Sequence, residues 1–294
     1  MRNFAPLQVF TCSGTSGRFV GDRSSFHSWV GATREAIAPS RLFSSSPRFP
    51  LPVRAAVFTF IPMVRLVLFD IDGTLVRTSG AGVKAFAKVF ATEFNAVDGF
   101  ERLKFSGRTD ISLVREFFGY HEIPATRQNF ERFFERYVFW LDHILKESKS
   151  MVCEGAWDFI RGLQSMQEKP LPGILTGNIR LGAEIKLRHL HLWDVFQTGA
   201  FADDHEDRAR IAAKAVERGS RVLNEDLGGE QVVVIGDTPL DIACARAVGA
   251  KVIAVATGTF ELEELQAHQP DWAAQNLGEL DPREVVLGDT VEKS

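Results

Sequence analysis

Two acidic residues, Asp70 and Asp72, follow the short apolar run Arg65–Phe69 and are separated by a single residue. Because both leave the end of one predicted strand, they point to the same ligand site. There, one carboxylate can attack phosphorus and the other can transfer protons. Gly73 permits a tight turn next to them, so Gly73 and Thr74 are candidates for close contact with a phosphate. The pattern therefore indicates phosphoryl-transfer chemistry at the end of this strand.

Three further apolar runs end in polar residues or glycines in the same way. They are Ile174-Leu175 before Thr176, Gln231–Ile235 before Gly236 and Asp237, and Lys251–Val255 before Thr257 and Gly258. Predicted helices separate these runs, at Ala156–Gln167, Leu181–Leu190, Glu206–Arg218 and Leu240–Val248. This alternation predicts an α/β fold with a doubly wound parallel sheet, a Rossmann-like core. Such sheets bind ligands outside the carboxyl ends of their strands, where these polar residues lie.

Residues 79–150 interrupt the alternation with three predicted helices, Lys84–Phe94, Ile111–Phe118 and Arg127–Lys146. The last helix carries an aromatic stripe at helical spacing, which is typical of a buried face. We expect residues 79–150 to form an inserted helical cap domain above the site. The α/β hydrolase core would then consist of residues 63–78 and 151–294. Flexible connections are expected at Thr78–Gly82 and Ser150–Gly155.

The segment Asp70–Leu75 resembles the first signature of the haloacid dehalogenase superfamily, in its phosphatase branch. The resemblance covers about residues 64–275 and implies a phosphatase that forms a covalent aspartyl-phosphate on Asp70. It also implies general acid and base catalysis by Asp72. The dehalogenases of the superfamily lack this second Asp, so Asp72 favours phosphoryl chemistry.

Two more segments resemble signatures of that superfamily. Thr176-Gly177-Asn178 resembles the second signature, which implies that the Thr176 hydroxyl and the amides after it hold a phosphoryl oxygen. Val234–Asp241 resembles the fourth signature. It implies that Asp237 binds Mg²⁺ together with the Asp70 side chain and the Asp72 backbone carbonyl. Asp241 can either orient the water shell of the metal or cap the helix that follows.

The third signature of the superfamily contains a Lys or Arg, in many members as a Lys-Pro pair. This chain has no Lys-Pro pair at that point, which leaves two candidates for the basic residue. Arg208 is favoured because it lies 12 residues after Phe196, at the end of what we interpret as a strand entry at 192–196. Lys214 is the second candidate. His205 deserves notice because it lies in the same loop.

In the predicted cap, Ser106–Asp110 resembles a segment of phosphoglycolate phosphatase-like members of the superfamily. Arg108 can reach a carboxylate or a second anionic group of a substrate. Thr109 and Asp110 also fit the start of the helix from Ile111 onward, so a purely structural role for this segment stays open.

Charge limits the classes of partner. The chain has 34 basic and 38 acidic residues, of which 7 and 2 lie in residues 1–62, so the remainder carries a net charge of −9. An acidic body argues against nucleic acid, and the absence of a long apolar run argues against a membrane span. We expect a small phosphorylated metabolite as substrate, for which the resemblance implies phosphoglycolate as a candidate, and we expect a monomer or homodimer. Alternatives are a phosphomutase of the same branch and a non-catalytic binding module.

Residues 1–62 are rich in Arg and Ser and are broken by six prolines. This composition fits an organellar transit peptide or an extension upstream of a start at Met63, and it predicts little ordered structure. The expected location is cytoplasmic, or organellar if the segment is a transit peptide.

Overall fold

The computed structural model describes residues 63–288, so the predictions for residues 1–62 lie outside the described residues. The strands are β1 Leu66–Phe69, β2 Val76–Arg77, β3 Met151–Val152, β4 Leu171–Leu175, β5 Thr198–Ala200, β6 Val232–Gly236, β7 Lys251–Val255 and β8 Trp272–Ala274. The helices are α1 Ala81–Phe94, α2 Asp110–Tyr120, α3 Arg127–Glu147, α4 Ala156–Gln164, α5 Arg180–His189, α6 Arg208–Leu223, α7 Pro239–Ala247, α8 Leu262–Gln266 and α9 Pro282–Leu287. Short 3₁₀ turns lie at Phe100–Arg102, Trp193–Val195, Gly229–Gln231 and Leu277–Glu279.

Six parallel strands form the main sheet, in the order β5-β4-β1-β6-β7-β8. Residues alternate between its two faces. Val67 and Phe69 of β1 pack towards α4, α5 and α9, whereas Leu66 and Leu68 pack towards α6 and α7. Helices therefore cover both faces, which explains why all four residues of β1 are apolar and buried. The predicted α/β class with a doubly wound sheet is confirmed.

The register of the sheet places the predicted site residues at one edge. Phe69, the last residue of β1, pairs with Ile174 of β4 on one side and with Ile235 of β6 on the other. The residues that follow these three positions leave the sheet at the same level. The strand register thus places Asp70 next to the turns after β4 and β6.

Several element boundaries differ from the sequence prediction. Strand β4 begins at Leu171, earlier than the predicted run at Ile174. It tolerates Pro172 because pairing with β5 starts only at Gly173, so no ladder hydrogen bond to β5 needs the missing N–H. The interpretation of 192–196 as a strand entry was wrong, since this segment contains a 3₁₀ turn and β5 starts at Thr198. Helix α6 starts at Arg208, because the Asp207 side chain accepts a hydrogen bond from the Ala209 N–H.

Helices α1, α2 and α3 lie between β2 and β3, two short strands that pair antiparallel. We name residues 79–150 the cap. Its boundaries as a domain stay a prediction. The cap has its own apolar cluster, in which Phe86, Phe90 and Phe133 are buried and in mutual edge or tilted contact. Ile179 and Ala202 from the α/β core join this cluster. The cap therefore packs directly against the loop that follows β4.

No helix within residues 63–288 is both long enough and apolar enough to cross a bilayer.

Candidate active site

Asp70 lies at the carboxyl end of β1 and is almost completely buried. Its N–H donates to the Ile235 carbonyl at 2.9 Å, which continues the pairing of β1 with β6 by one residue. Its Oδ1 atom has no hydrogen-bond partner within residues 63–288, and Nη2 of Arg208 lies 3.7 Å away. A buried carboxylate oxygen without a partner is costly unless a ligand satisfies it, so this atom marks a binding or reactive position.

Asp237 and Asp241 bring two further carboxylates to Asp70, with one oxygen of each residue within 4.8 Å of the others. All three side chains are buried. Burial raises the pKa of Asp70 to about 7, the charge of Asp241 adds to the rise, and Arg208 opposes it. Burial and the charges of Asp241 and Asp70 likewise raise the pKa of Asp237 well above its usual value. The cluster therefore holds more negative charge than its protein neighbours neutralise, and its hard oxygen donors suit a divalent cation.

Close approach of the backbone holds Asp237 in place. Gly73 has a φ of +87°, and a Cβ at this position would lie 2.4 Å from Oδ2 of Asp237. A side chain at Gly258 would also collide with this carboxylate. The Thr74 hydroxyl donates to Oδ1 of Asp237 at 3.2 Å. The two glycines thus make room for the carboxylate, and Thr74 orients it. We expected Thr74 to contact a phosphate, but it does not line the cavity, because its side chain is buried against Asp237.

The sequence left open whether Asp241 orients the water shell of a metal or caps α7. Its Oδ2 atom accepts hydrogen bonds from the N–H and the hydroxyl of Thr238, which forms a capping box at the start of α7. Its Oδ1 atom accepts a hydrogen bond from Nη2 of Arg208. Asp241 therefore caps the helix and also positions Arg208. This double engagement leaves Asp237 and Asp70 as the carboxylates with free capacity for a metal.

Asp72 lies closer to solvent than Asp70, with 42% of its side chain exposed. Its Oδ2 atom accepts hydrogen bonds from Nζ of Lys186 at 2.5 Å and from Nδ2 of Asn178 at 2.9 Å. Nζ of Lys186 also donates to Oδ1 of Asn178 at 2.6 Å. Asp72 is therefore held by two donors from the segment after β4.

The sequence analysis missed Lys186, although its helix carries a usable signal. Gly182, Ala183 and Leu187 form the buried face of α5, and Lys186 lies on that same face. Only 4% of its side chain is exposed. A lysine on the apolar face of a helix is rarely tolerated without a partner, so its position alone pointed to a carboxylate within reach.

Thr176, Gly177 and Asn178 form the turn after β4, next to Asp70. The Thr176 hydroxyl accepts hydrogen bonds from the backbone N–H and from Nδ2 of Asn178, at 3.3 and 2.9 Å. Gly177 has no room for a side chain, because a Cβ there would lie 2.3 Å from the Arg108 carbonyl of the cap. All three residues line the same cavity as Asp70 and Asp72.

The structure distinguishes the two candidates for the basic residue. Arg208, the first residue of α6, reaches Asp241 and Asp70 and is 10% exposed. Burial opposes the charge of its guanidinium, but the carboxylates of Asp241 and Asp70 raise the pKa of Arg208 above its usual value. Lys214 lies almost two turns further along α6, where it is 41% exposed and pairs with Glu217 at 2.6 Å. The structure does not bring Lys214 to the cavity.

The cap contributes its loop 106–110 to the site. The Asp110 N–H donates to the Gly177 carbonyl at 2.7 Å, and Oδ2 of Asp110 accepts the N–H of Ile179 at 2.8 Å. Thr109 caps α2, as its sequence suggested, by accepting the N–H of Ser112. The Arg108 side chain forms an ion pair with Glu116. Arg108 thus lies at the cavity with its charge already matched.

His205 does not line the cavity, and its Nδ1 accepts the N–H of Asp207 at 2.8 Å. This local bond shapes the loop before α6.

The cavity enclosed by these residues has a volume of about 510 Å³. The carboxyl edge of the sheet forms its floor, with Asp70, Asp72, Thr176 and Asp237. The cap forms its roof, which consists of apolar side chains and the loop 106–110. The apolar roof residues are Val83, Phe86, Phe105, Leu113 and Tyr137.

Comparison with known proteins agrees with this architecture. A pyrophosphatase PpaX from Bacillus cereus is 24% identical over 228 residues, which span 74% of this chain and 95% of that protein. A predicted phosphoglycolate phosphatase from Haemophilus somnus has the same fold, with a TM-score of 0.59 and 17% identity over 74% of this chain and 96% of its own. CbbY from Rhodobacter sphaeroides, solved with phosphate, gives a TM-score of 0.55 and 19% identity over 67% and 88% of the two chains.

The model of one protein family matches residues 67–255, a span that contains both the edge of the sheet with Asp70 and Asp237 and the entire cap. The chain belongs to the haloacid dehalogenase-like hydrolase family.

Proposed function

We propose that this hydrolase is a Mg²⁺-dependent phosphatase that cleaves small phosphate monoesters through an aspartyl-phosphate on Asp70. One observation carries the proposal. Among residues 63–288, the buried Asp70 has an oxygen without a hydrogen-bond partner. Asp70 lies between a carboxylate cluster on one side and Asp72, held by Lys186, on the other. This arrangement separates a nucleophile from a proton donor within one cavity.

Two chemical steps follow from the arrangement. A carboxylate oxygen of Asp70 attacks phosphorus, the bond from phosphorus to the ester oxygen breaks, and Asp72 gives a proton to the departing alcohol. Water then attacks the phosphorus of the aspartyl-phosphate while Asp72 takes up its proton. The bond between phosphorus and Asp70 breaks, inorganic phosphate leaves and both side chains return to their starting state.

The phosphoryl oxygens need hydrogen-bond donors and positive charge during this transfer. Thr176, Gly177 and Asn178 lie at the cavity floor, where the Thr176 hydroxyl and the backbone amide of Gly177 would hold phosphoryl oxygens. The N–H groups of Gly73 and Thr74 donate to the carbonyls of Val76 and Ile71 within their own turn. Arg208 supplies the positive charge near Asp70. Each of these residues therefore has a role that its position supports.

Asp70, Asp237 and the carbonyl of Asp72 would hold the metal ion. The fit rests on the three buried carboxylates and on the raised pKa of Asp70 and Asp237, which express an excess of negative charge. A bound Mg²⁺ would neutralise charge on the phosphoryl group and favour the ionised form of Asp70.

The experiment that tests the proposal is substitution of the nucleophile. Asp70→Asn should lower turnover of any accepted phosphate ester by about 10⁴-fold or more, because an amide does not attack phosphorus. Phosphate release with saturating Mg²⁺ measures the rate, and circular dichroism checks the fold. A second measurement is trapping of a phosphorylated wild-type protein by acid quench. A folded Asp70→Asn variant with near wild-type turnover contradicts the proposed mechanism.

A further inference from the structure

The roof of the cavity is the part of the site that would contact the leaving group of a substrate. Arg108 is the basic residue of the loop 106–110, and its guanidinium forms an ion pair with Glu116 one and a half turns into α2. The Tyr120 hydroxyl donates to the same carboxylate. Hydrogen bonds from Tyr120 and Arg108 lower the pKa of Glu116, so Glu116 is ionised and matches the charge of Arg108.

Two of the other cations at the cavity are matched by carboxylates in a similar way. Lys186 is bound to Asp72, and Arg208 is bound to Asp241. Arg77 of β2 also lines the cavity, outside the roof, and its Nε donates to the Thr257 carbonyl and not to a carboxylate. Asp110 adds a carboxylate to the roof. A leaving group with its own negative charge would therefore approach a roof without excess positive charge.

Size and polarity point in the same direction. The cavity of about 510 Å³ exceeds what a two-carbon or inorganic leaving group fills beside a phosphoryl group, and lies in the range of sites for ring-sized ligands. Val83 and Phe105 present partly exposed apolar surface to it, next to the edges of Phe86, Leu113 and Tyr137. Such a wall stabilises apolar surface of a ligand, and its side chains carry no positive charge for an anion.

We infer that the substrate is a phosphate monoester of an uncharged, ring-sized alcohol, and that Glu116 sets this preference by neutralising Arg108. The inference rests on the proposed phosphatase function and narrows its substrate class. It places pyrophosphate and phosphoglycolate, both with anionic leaving groups, among the poor substrates of this protein.

Two esters of equal size test the inference, 4-carbamoylphenyl phosphate and 4-carboxyphenyl phosphate, which differ by one negative charge. Wild-type kcat/KM should favour the uncharged amide by about 10-fold or more. Glu116→Gln should reduce this ratio by at least about 10-fold, because the freed Arg108 can then pair with the carboxylate of the substrate. The matched control is Glu131→Gln, which breaks the exposed Arg127–Glu131 pair of α3 and should leave the ratio unchanged.

A wild-type preference for the carboxylate ester, pyrophosphate or phosphoglycolate would overturn the inference, as would an unchanged ratio in Glu116→Gln. If Glu116→Gln does not fold, Arg108→Gln provides the second arm. It leaves Glu116 unmatched and should widen the ratio several-fold, and an unchanged ratio there also counts against the inference. If the proposed phosphatase function itself is wrong, the wild type should hydrolyse neither ester. That result differs from every outcome that contradicts only the substrate inference.

Lys186 contacts the proposed proton donor Asp72, and this contact is independent of the cavity roof. Its buried ammonium group and Asn178 both donate to Oδ2 of Asp72, which fixes the rotation of this carboxylate. The other oxygen, Oδ1, is left for exchange of a proton with the substrate. We propose that Lys186 is a positioning residue that aims Asp72 at the ester oxygen, a role that rests on the proposed acid catalysis by Asp72.

Leaving groups of different basicity separate this role from a structural one. Lys186→Met should lower kcat/KM on benzyl phosphate by about 10²-fold or more, because an alkoxide needs a proton to depart. It should lower kcat/KM on 2,4-dinitrophenyl phosphate by less than about 10-fold, since this leaving group departs without one. Lys214→Met, which removes an exposed lysine of α6, is the control and should change neither value.

Equal losses of kcat/KM on the two esters would overturn the positioning role. Wild-type kcat/KM on both esters would overturn it as well. Turnover of the dinitrophenyl ester also shows that the Lys186→Met variant is folded. If the variant does not fold, Lys186→Gln keeps one donor towards Asp72 and should show the same pattern with a smaller loss on the benzyl ester.

Discussion

The floor of the cavity and its roof hold their polar side chains in different ways. On the floor, Asp70, Thr176 and Asp237 follow buried strands whose register places them side by side. In the roof, Arg108 and Asp110 lie in a loop between helices and reach the cavity because the aromatic cluster of the cap packs against the segment after β4. Backbone pairing therefore determines the floor, whereas packing determines the roof.

This difference suggests a division of roles. The floor holds the groups that any phosphate ester needs, so changes there should affect all substrates alike. The roof contacts the part of the substrate that varies, so changes there should alter preference or stability. The predictions below test this division, from the largest expected effect to the smallest.

Removal of divalent cations should have the largest effect. Without them the carboxylates of Asp70 and Asp237 repel each other, and we expect turnover of every ester to fall by about 10³-fold or more. Chelation followed by titration with Mg²⁺ measures this. Mg²⁺ should also raise the thermal midpoint more at pH 8 than at pH 5, because the raised pKa of Asp70, about 7, leaves it protonated at pH 5. Full activity after exhaustive chelation would exclude the metal site.

Asp72→Asn should lower kcat/KM on benzyl phosphate by about 10²–10⁴-fold, the usual contribution of general acid catalysis. The dinitrophenyl ester should lose much less in the phosphorylation step. Rapid-quench measurement of the alcohol released in the first turnover isolates that step. If the two esters lose equally, the loss does not come from proton transfer to the leaving group, and the broken ion pair with Lys186 explains it instead.

Phe133→Ala tests whether the cap aromatic cluster serves stability and not chemistry. Phe133 is fully buried and touches Phe86, Phe90 and Tyr137. The variant should lose about 3–5 kcal/mol of unfolding free energy, or roughly 10 °C in thermal midpoint, with kcat at 15 °C within about threefold of wild type. Phe139→Ala on the same helix is the control, because Phe139 is 60% exposed and should shift the midpoint little. Similar shifts for both would contradict a separate cap core.

Asp110→Asn tests the contact between floor and roof through its pH dependence. Burial raises the pKa of Asp110 to about 7, and Lys186 and the Ile179 N–H oppose the rise, while Asp72 and Asp203 add to it. Since the folded-state value lies above the 3.8 of a free carboxyl group, the protonated form stabilises the fold. This contribution is complete below about pH 4 and is lost as the pH rises to about 7.

Wild-type thermal midpoints should consequently fall more steeply between pH 4 and pH 7 than those of Asp110→Asn, with Mg²⁺ saturating in both. The amide imitates the protonated acid and keeps an acceptor for the Ile179 N–H. Asp142→Asn, an exposed carboxylate of α3, should parallel the wild type. Parallel curves for Asp110→Asn would place Asp110 in contact with water.

Much of this protein was determined by local sequence. The apolar run before Asp70, the glycine after Asp72 and the alternation of strands and helices predict a parallel sheet with acids at its carboxyl edge. This works because burial on both faces demands continuous apolar strands, and because parallel strands end at a common edge. The sequence likewise offered Asp241 as a cap of the helix that follows, since capping involves residues only three apart.

Only the tertiary structure decided the partners of the charged residues. Lys186 and Asp72 are 114 residues apart, and the pairing of Arg208 with Asp241 spans 33 residues, so no local pattern joins them. Arg208 and Lys214 both carry a positive charge, and the sequence does not show which of them is buried. The placement of α6 buries the guanidinium of Arg208 and leaves the ammonium group of Lys214 exposed. Helix register and packing between layers set these contacts, because a side chain finds its partner through the position of the whole element that carries it.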